Sequence, residues 1–343
     1  MNASCGEVQP VSVIVTTRNE ADNIRGCLDS LLAQDFPRDA YEVLIIDCSS
    51  DATAEIAATY PGVRVLRSER GFSRQKNLGV AEARFDILAF TDADCIIPPE
   101  WLKTIERAFR RPELAAAGGN AFPPPGTSKF GFWSACVGHP SGGAIGFEAN
   151  VTPGKDGIEF AAGCNSIYRR EAIRAVQGFS PDFQAGGEDV DISRRMKAQG
   201  LLIDYIPDLT VYHKPRPTLG SYFRWNVRVG VTKWSLRRPG PFRIVFNPFF
   251  PVWPLVLLAG LLALPFFPWL LIGTAAGLWA AFLLSLFLAT KPNPLLWRRR
   301  RRIGVSIPAL LIIVPALIFI RQVGISCGEW KKYRVSRASR SAG

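Results

Sequence analysis

The chain lacks acidic residues in its C-terminal part and has few residues that bind soft metals. Of its 29 Asp and Glu, 28 lie in residues 1–208, whereas residues 209–343 hold 20 Lys and Arg against a single acid, Glu329. The chain has two histidines, and its seven cysteines form no Cys-x-x-Cys pair and no regular spacing. These absences argue against a structural zinc site and favour a reduced, cytosolic setting.

The chain also lacks the patterns of a nucleic-acid-binding module. Its formal charge is +12, yet no RRM or helix-turn-helix pattern is present, and the positive charge flanks apolar runs. We therefore expect no nucleic-acid partner. The segment 209–243 has eight basic residues and no acid, which predicts a juxtamembrane stretch on membrane lipids, worth about 1 kcal/mol for each nearby Lys or Arg.

A long run without charge follows this basic stretch. From Phe249 to Thr290 there are 42 consecutive uncharged positions, and one membrane helix needs about 20 apolar residues. The run predicts two spans, at about 250–266 and 268–290, separated by a turn near Pro268. We expect no signal peptide, because residues 1–9 are polar and the next apolar run is too short.

A third apolar segment, at about 303–320, has basic residues on both sides, Arg298–Arg302 before it and the tail 326–343 after it. It either spans the membrane or forms an in-plane or re-entrant helix, and the sequence leaves both open. The arginine cluster predicts a cytoplasmic side by the positive-inside rule. The sequence thus predicts a multi-pass inner-membrane protein with membrane region 249–325 and a cytoplasmic catalytic domain, 1–240.

Residues 1–208 alternate short β-branched runs with helical patterns. This rhythm predicts an α/β fold with a mixed, mainly parallel sheet flanked by helices. Strands are predicted at the runs 11–17, 43–46, 63–66 and 87–90, and helices at 23–32, 52–59 and 73–83. No Gly-x-Gly-x-x-Gly follows any strand, which argues against the alternative of a nucleotide-dependent oxidoreductase.

Polar residues follow three of the predicted strands at their carboxyl ends, where open α/β sheets bind ligands. The clusters are Thr16–Glu20, Asp47–Asp51 and Asp92-Ala93-Asp94. Each cluster is also explained by helix capping or a turn. Two carboxylates at i and i+2 after a buried strand can hold one hard divalent cation, Mg²⁺ or Mn²⁺, which in turn grips a diphosphate.

An ordered set of motifs resembles the family 2 glycosyltransferases of the GT-A fold over residues 10 to about 230. The matching segments are Val11 to Ile24, Asp47 to Thr53, Ser73 to Gly79, Thr91 to Cys95, Gly163 to Arg170, Gly178 to Phe183 and Gly187 to Arg195. The resemblance implies a nucleoside-diphosphate sugar donor. It implies that Asp47 recognises the nucleotide base, although the turn after Asp47 is one residue shorter than the usual pattern.

The resemblance also implies roles for individual residues. Donor-binding positions are Thr17, Asn19, Glu20, Asp47, Arg74, Asn77 and Asp92. Asp94 is the implied metal ligand, with Asp92 on the ribose or a metal-bound water. His213 matches a late histidine that some GT-A enzymes supply to the metal, and Arg74 is explained equally well by a surface salt bridge.

The pair Glu188-Asp189 resembles the catalytic base of the family. Asp189 is the implied base, Glu188 is the reserve choice, and direct attack implies inversion at the anomeric carbon. The alternative is that both acids simply occupy the first turn of a helix, where they offset its dipole. Taken together, the motifs predict sugar transfer to a lipid-linked or glycan acceptor in cell-envelope or exopolysaccharide assembly; the remaining alternative is a noncatalytic membrane scaffold with a degenerate GT-A domain.

Overall fold

The computed structural model describes residues 8–137, 143–147, 151, 157–237, 298–301 and 303–341. The chain divides into two compact units, residues 1–215 and 216–343. The domain boundaries predicted from the sequence, at residues 240, 249 and 325, stay predictions. The predicted spans at 250–266 and 268–290 lie outside the described residues.

The first half of the N-terminal unit is a parallel βα repeat. Its strands are β1 Val11–Thr17, β2 Tyr41–Asp47, β3 Val63–Arg67 and β4 Ile87–Asp92. Its helices are α1 Ile24–Leu32, α2 Thr53–Ala58 and α3 Phe72–Glu82, with a short 3-10 helix at Arg38–Ala40. β1 pairs in parallel with both β2 and β4, so the carboxyl ends of these strands meet at one edge.

The second half of the N-terminal unit adds four strands, two of which run opposite to the rest of the sheet. Its strands are β5 Cys95–Ile96, β6 Leu114–Phe122, β7 Asn165–Arg169 and β8 Leu202–His213. Its helices are α4 Trp101–Phe109, α5 Lys129–Cys136, α6 Arg170–Ala175 and α7 Glu188–Ala198, with a 3-10 helix at Gly143–Ile145. β7 lies antiparallel between β4 and β6. The sheet has eight strands in the order β3-β2-β1-β4-β7-β6-β8-β5, which confirms the predicted mixed α/β sheet with flanking helices.

Both faces of the sheet are buried, as expected for strands that read as continuous apolar runs. In β1, Val13 and Val15 pack into the core on one face, whereas Ile14 packs into the core on the other. Gly79 in α3 allows close approach of helix to sheet, because a Cβ there would lie 2.5 Å from Cγ2 of Ile14. This packing fixes α3 against the strands whose ends carry the polar clusters.

The C-terminal unit contains two described helices, α8 Leu219–Arg237 and α9 Ile307–Ser341. They pack through glycines: a Cβ on Gly230 would lie 2.0 Å from the carbonyl oxygen of Ile325, and one on Gly328 would lie 1.9 Å from that of Val227. No side chain fits at either position. The pair therefore depends on backbone contact between the two helices.

The predicted third apolar segment forms the first part of α9, which continues without a break through the predicted tail. The helix is 35 residues long and carries Lys331, Lys332 and Arg334 in its later turns. Crossing a bilayer takes about 20 predominantly apolar residues, and among the described helices none is both long enough and apolar enough. This finding contradicts the predicted multi-pass location in the inner membrane. It bears only on the described helices, so the spans predicted at 250–266 and 268–290 stay predictions.

Candidate active site

The polar clusters predicted from three strand ends lie at one edge of the sheet. Thr17 is the register partner of Asp47, and Thr16 is the register partner of Asp92. β7 then brings Asn165 opposite Thr91 at the same end of β4. The carboxyl ends of β1, β2 and β4 thus lie side by side, in the position where open α/β sheets bind ligands in a crevice.

Asp47 is fully buried and surrounded by donors. Its Oδ1 accepts from the hydroxyls of Thr17 at 2.7 Å and Ser49 at 2.6 Å, and its Oδ2 accepts from the Ser49 backbone N–H and from Arg67. A carboxylate offers about four acceptor positions, and all four are used. Contact between Asp47 and a nucleobase therefore requires one donor to move aside; Ser49 and Arg67 are the two that approach from the loop and the surface.

The turns after β1 and β2 hold each other. Asn19 has a left-handed backbone, with φ of 57°, and its carboxamide oxygen accepts from the Ser50 N–H at 2.9 Å. The Ser49 hydroxyl in turn accepts from the Asn19 N–H, and the Thr53 hydroxyl accepts from the Glu20 N–H, both at 2.8 Å. Three of the predicted donor-binding residues, Thr17, Asn19 and Glu20, thus belong to one cross-linked pair of turns.

Asp92, Asp94 and His213 come together where β4 and β8 end and β5 begins. Asp94 and His213 are both buried, and Nε2 of His213 lies 2.9 Å from Oδ1 of Asp94. Burial lowers the pKa of His213, but the carboxylate of Asp94 outweighs it and holds that pKa well above its ordinary value. Desolvation raises the pKa of the partly buried Asp92, an effect that nearby His213 opposes.

These residues fit a divalent cation. Ligand atoms of Asp92, Cys164 and His213 lie within 4.8 Å of one another, and so do those of Asp94, Cys95 and His213. Two carboxylates and an imidazole are donors that Mg²⁺, Mn²⁺ and related ions accept. His213 is common to both groups, so the sequence-based choice of Asp92, Asp94 and His213 selects side chains that share one location.

A buried ion pair lies next to this cluster. Nζ of Lys76 in α3 is 2.7 Å from Oε1 of Glu188 in α7, and the two side chains are only 4% and 7% exposed. The ammonium also lies over the rings of Phe90 and Phe179, 5.6 and 5.3 Å from their centroids. Burial alone would lower the pKa of Lys76, but the charge of Glu188 raises it above its ordinary value, so Lys76 is a cation at neutral pH.

Asp189 lies in the first turn of α7, immediately after Glu188. Its Oδ2 accepts from the Gly163 N–H at 3.0 Å and its Oδ1 from the Val190 N–H at 2.8 Å. Burial, followed by the charge of Glu188, raises the pKa of Asp189 to about 6. A partly exposed carboxyl group with such a pKa can accept a proton near neutral pH. Its place in the first turn also agrees with the helix-dipole explanation, and its role as the base stays a prediction.

Arg74 and Asn77 have other partners. Arg74 is half exposed and forms an ion pair with Glu69, as the surface salt-bridge alternative expected. The carboxamide of Asn77 forms two hydrogen bonds with the backbone of Phe179. It donates to the carbonyl oxygen at 2.8 Å and accepts from the N–H at 2.9 Å. These contacts give both residues structural roles, and their donor-binding roles stay predictions.

Sequence reasoning did not single out Lys76 or Gln75. Gln75 donates to the carbonyls of Thr17 and Ile46 at 3.0 and 2.7 Å and so closes the ends of β1 and β2. One signal for Lys76 was available in the sequence, because it lies between Ser73 and Gly79 on the side of α3 that faces the sheet. A lysine buried on that side needs an acidic partner, so its position predicts a buried ion pair.

Comparison with known proteins agrees with this geometry. Residues 12–177 match the model of the family "Glycosyl transferase family 2". "Glycosyltransferase AglE" of Haloferax volcanii is 28% identical over 241 residues, which cover 66% of this chain and 75% of the relative. The "Mannosyltransferase PcManGT from Pyrobaculum calidifontis in complex with GDP-Man and Mn2+" shares the fold, with a TM-score of 0.55 and 22% identity over 95% of this chain and 88% of that one.

A further relative comes from Methanococcus voltae. Its name is dolichyl N-acetyl-alpha-D-glucosaminyl phosphate 3-beta-D-2,3-diacetamido-2,3-dideoxy-beta-D-glucuronosyltransferase, and it is 22% identical over 251 residues, covering 69% of this chain and 76% of the relative. The match to the O-antigen biosynthesis protein RfbC of Myxococcus xanthus is 29% identical over 210 residues, which cover 56% of this chain and only 16% of RfbC.

Residues 12–177 thus match glycosyltransferase family 2, and the mixed eight-stranded sheet agrees with the GT-A fold that the resemblance implies. The protein is a glycosyltransferase, and its relatives place it in sugar transfer for glycan biosynthesis. The alternatives of an oxidoreductase and of a noncatalytic scaffold are set aside.

Proposed function

We propose that this glycosyltransferase is metal-dependent and inverting, and that it moves a sugar from a nucleoside-diphosphate donor to a glycan or lipid-linked acceptor. One observation carries the proposal. Two adjacent residues contact both the candidate base and the candidate cation ligands. The Gly163 N–H donates to Asp189, and the Cys164 thiol lies with Asp92 and His213. The candidate base and the candidate cation ligands therefore share one crevice.

On the donor side, Asp94, Asp92 and His213 would hold Mg²⁺ or Mn²⁺. A cation bound there neutralises negative charge on the departing nucleoside diphosphate. Thr17, Asn19, Glu20 and Asp47 would line the nucleoside, with the two cross-linked turns fixing its orientation. The hydrogen bonds between the two turns are present before the donor arrives, so the main rearrangement on binding is the movement of Ser49 or Arg67 away from Asp47.

On the acceptor side, Asp189 would take the proton from the attacking hydroxyl. The Gly163 and Val190 N–H groups hold its carboxylate in place, and each oxygen keeps acceptor capacity for the substrate. With one base and direct attack, the configuration at the anomeric carbon inverts. Glu188 is paired with Lys76, which favours Asp189 over Glu188 as the base.

The acceptor class is proposed from the relatives. The name of the Methanococcus voltae protein describes transfer to a dolichyl-linked sugar phosphate, which supports a lipid-linked acceptor for this chain. The name of RfbC describes O-antigen biosynthesis, which supports a glycan. The donor sugar and its base are left to experiment.

The test is nucleotide titration into the full-length protein. UDP, GDP, CMP and dTDP are each titrated with and without Mn²⁺ into the wild type, into Asp94→Asn and into Asp86→Asn. Asp86 is the control, because it is an exposed acid at the opposite end of β4. We expect Mn²⁺-dependent binding of one nucleotide that is lost in Asp94→Asn and kept in Asp86→Asn.

Two outcomes would contradict the proposal. Equal nucleotide affinity with and without Mn²⁺ would exclude metal-dependent donor binding. Unchanged affinity in Asp94→Asn would exclude a role of Asp94 in the donor site. The nucleotide that binds then identifies the donor for an assay that follows the anomeric configuration of the product by NMR. A product with retained configuration would exclude direct attack assisted by Asp189.

A further inference from the structure

Cys164 lies among the side chains assigned to the cation. Its sulfur and ligand atoms of Asp92 and His213 are within 4.8 Å of one another. The side chain of His213 also interacts with the Cys164 thiol. The residue precedes β7, which pairs with the end of β4, so the position of its sulfur is fixed by the interior of the sheet.

A second cysteine lies near the site. Cys95 belongs to β5 and lies with Asp94 and His213, and it is buried in the same apolar core as Cys164. Cys164 also follows Gly163, whose N–H faces the carboxylate of Asp189. The backbone at 163–164 thus borders the crevice, which makes Cys164 the better placed thiol.

We propose that the Cys164 thiol is a ligand of the divalent cation, together with Asp92 and His213. The inference rests on the cation site of the proposed function and adds a sulfur ligand to it. On binding, the S–H bond is replaced by a sulfur–metal bond, and the proton leaves to solvent.

The consequence is a particular order of metal preference. Thiolate and imidazole ligands favour the later divalent ions, whereas Mg²⁺ prefers oxygen ligands and holds its waters. With one sulfur and one nitrogen among its donors, the site binds Co²⁺ and Zn²⁺ more tightly than Mn²⁺, and Mg²⁺ most weakly. A site made only of carboxylates would discriminate less among these ions.

Cobalt absorption tests the inference without any assay of transfer. Co²⁺ is titrated into metal-free, full-length protein with a reducing agent that does not bind metal, and two signals are followed. Visible ligand-field bands report that the ion is bound, and a near-ultraviolet charge-transfer band reports a sulfur ligand. The variants are Cys164→Ser and Cys95→Ser, with Cys136→Ser in α5 as the matched control, since Cys136 is a buried thiol outside both donor groups.

We expect both signals in wild type, Cys95→Ser and Cys136→Ser. In Cys164→Ser we expect loss of the charge-transfer band and a loss of about tenfold or more in Co²⁺ affinity, with Mg²⁺ affinity nearly unchanged. Equal circular dichroism spectra of wild type and Cys164→Ser establish that the variant is folded, and Cys164→Ala replaces it if Ser misfolds.

The outcomes separate the inference from the proposed function. Ligand-field bands without a charge-transfer band overturn the sulfur ligand and leave the cation site standing. If only Cys95→Ser loses the charge-transfer band, the sulfur ligand is Cys95 and not Cys164, and the inference is overturned. Absence of any cobalt signal overturns both the sulfur ligand and the cation site.

Discussion

Two regions of the active-site crevice are built on opposite principles. The first, which we call the loop pair, consists of Thr17–Glu20 and Asp47–Asp51 and is held by short polar side chains and backbone groups. The second, the charged cluster, contains Lys76, Asp92, Asp94, Glu188, Asp189 and His213. The hydrogen bonds that join the two turns are exposed or partly buried, whereas most charges of the cluster are buried.

The two regions differ in how much the loss of one interaction destabilises the domain. A hydrogen bond near the surface contributes about 1 kcal/mol, and its loss leaves groups that water can satisfy. A buried charge that loses its partner costs several times more. The cluster is thus destabilising unless it is complete, which is expected of groups retained for chemistry. Four changes test this contrast, beginning with the largest expected effect.

Asp189→Asn should abolish most of the activity and little else. Loss of a general base reduces turnover by about 10²–10⁴-fold, and the carboxamide keeps the shape of the side chain. The measurement is kcat for transfer, with nucleotide affinity determined in parallel. Asp191→Asn is the matched control, because Asp191 is in the same first turn but forms an ion pair with Arg195. Turnover within twofold of wild type in Asp189→Asn would exclude Asp189 as the base.

Lys76→Met should lower the free energy of unfolding by about 3–5 kcal/mol, because Glu188 is left buried without its partner. Arg74→Met, on the same helix, should cost about 1 kcal/mol or less, since its ion pair with Glu69 is exposed and such pairs contribute little. Urea unfolding measures both. Adding Glu188→Gln to Lys76→Met should restore most of the loss; failure to restore it would show that Lys76 acts through packing on Phe90 and Phe179.

The pH dependence of kcat/KM should reflect the raised pKa of Asp189. Its pKa is raised to about 6, so below that pH the carboxyl is protonated and cannot accept a proton from the acceptor. We expect kcat/KM to fall about tenfold for each pH unit below 6 and to level off above it. Glu188→Gln removes a negative neighbour and should move the limb to lower pH. A limb that stays in place would mean that it belongs to another group.

Asn19→Ala should have the smallest effect of the four. It removes the acceptor used by Ser50 and places a Cβ-bearing residue without a polar side chain at φ of 57°, together costing about 1–3 kcal/mol. Asn19→Gly removes the same hydrogen bond but accepts the left-handed backbone, so it should recover about 1 kcal/mol in urea unfolding. Equal losses in the two variants would show that the backbone at residue 19 is not strained.

The parallel half of the sheet was accessible to sequence reasoning. Its strands are uninterrupted β-branched runs, and the observed bounds of β1 and β3 differ from the predicted ones by one residue or less. Helices α1 and α3 likewise begin and end within one residue of prediction. Local pattern is sufficient here because each strand is followed at once by the helix that covers it.

The second half was less accessible. Strand β8 is twelve residues long, but its first part has mixed polarity, and only 209–212 read as a strand. The contact between Lys76 and Glu188 joins residues 112 positions apart and has no local signature. The sequence predicted Asp189 as the base and Glu188 as the reserve choice. In the structure Glu188 is paired with Lys76, whereas Asp189 is held by backbone N–H groups.

The prediction of a membrane location shows a different limit. It rested on the count of uncharged residues, which is a property of composition. The longest described helix, α9, continues from apolar residues directly into basic ones. It contacts α8 through Gly230 and Gly328, and composition does not reveal such a contact between distant residues.

Strand β7 should open to solvent less readily than the turns at the same edge of the sheet. It is hydrogen-bonded on both sides, to β4 and to β6, and Asn165 at its start ties in Trp101 and the backbone of Asn120 and Leu209 as well. Its amide protons can exchange with solvent only when the middle of the sheet opens, whereas the turns at Asn19 and Ser49 can open alone. The turns proposed to bind the donor can therefore open while the sheet stays folded. The residues proposed as cation ligands and base keep their relative positions for as long as the sheet is intact.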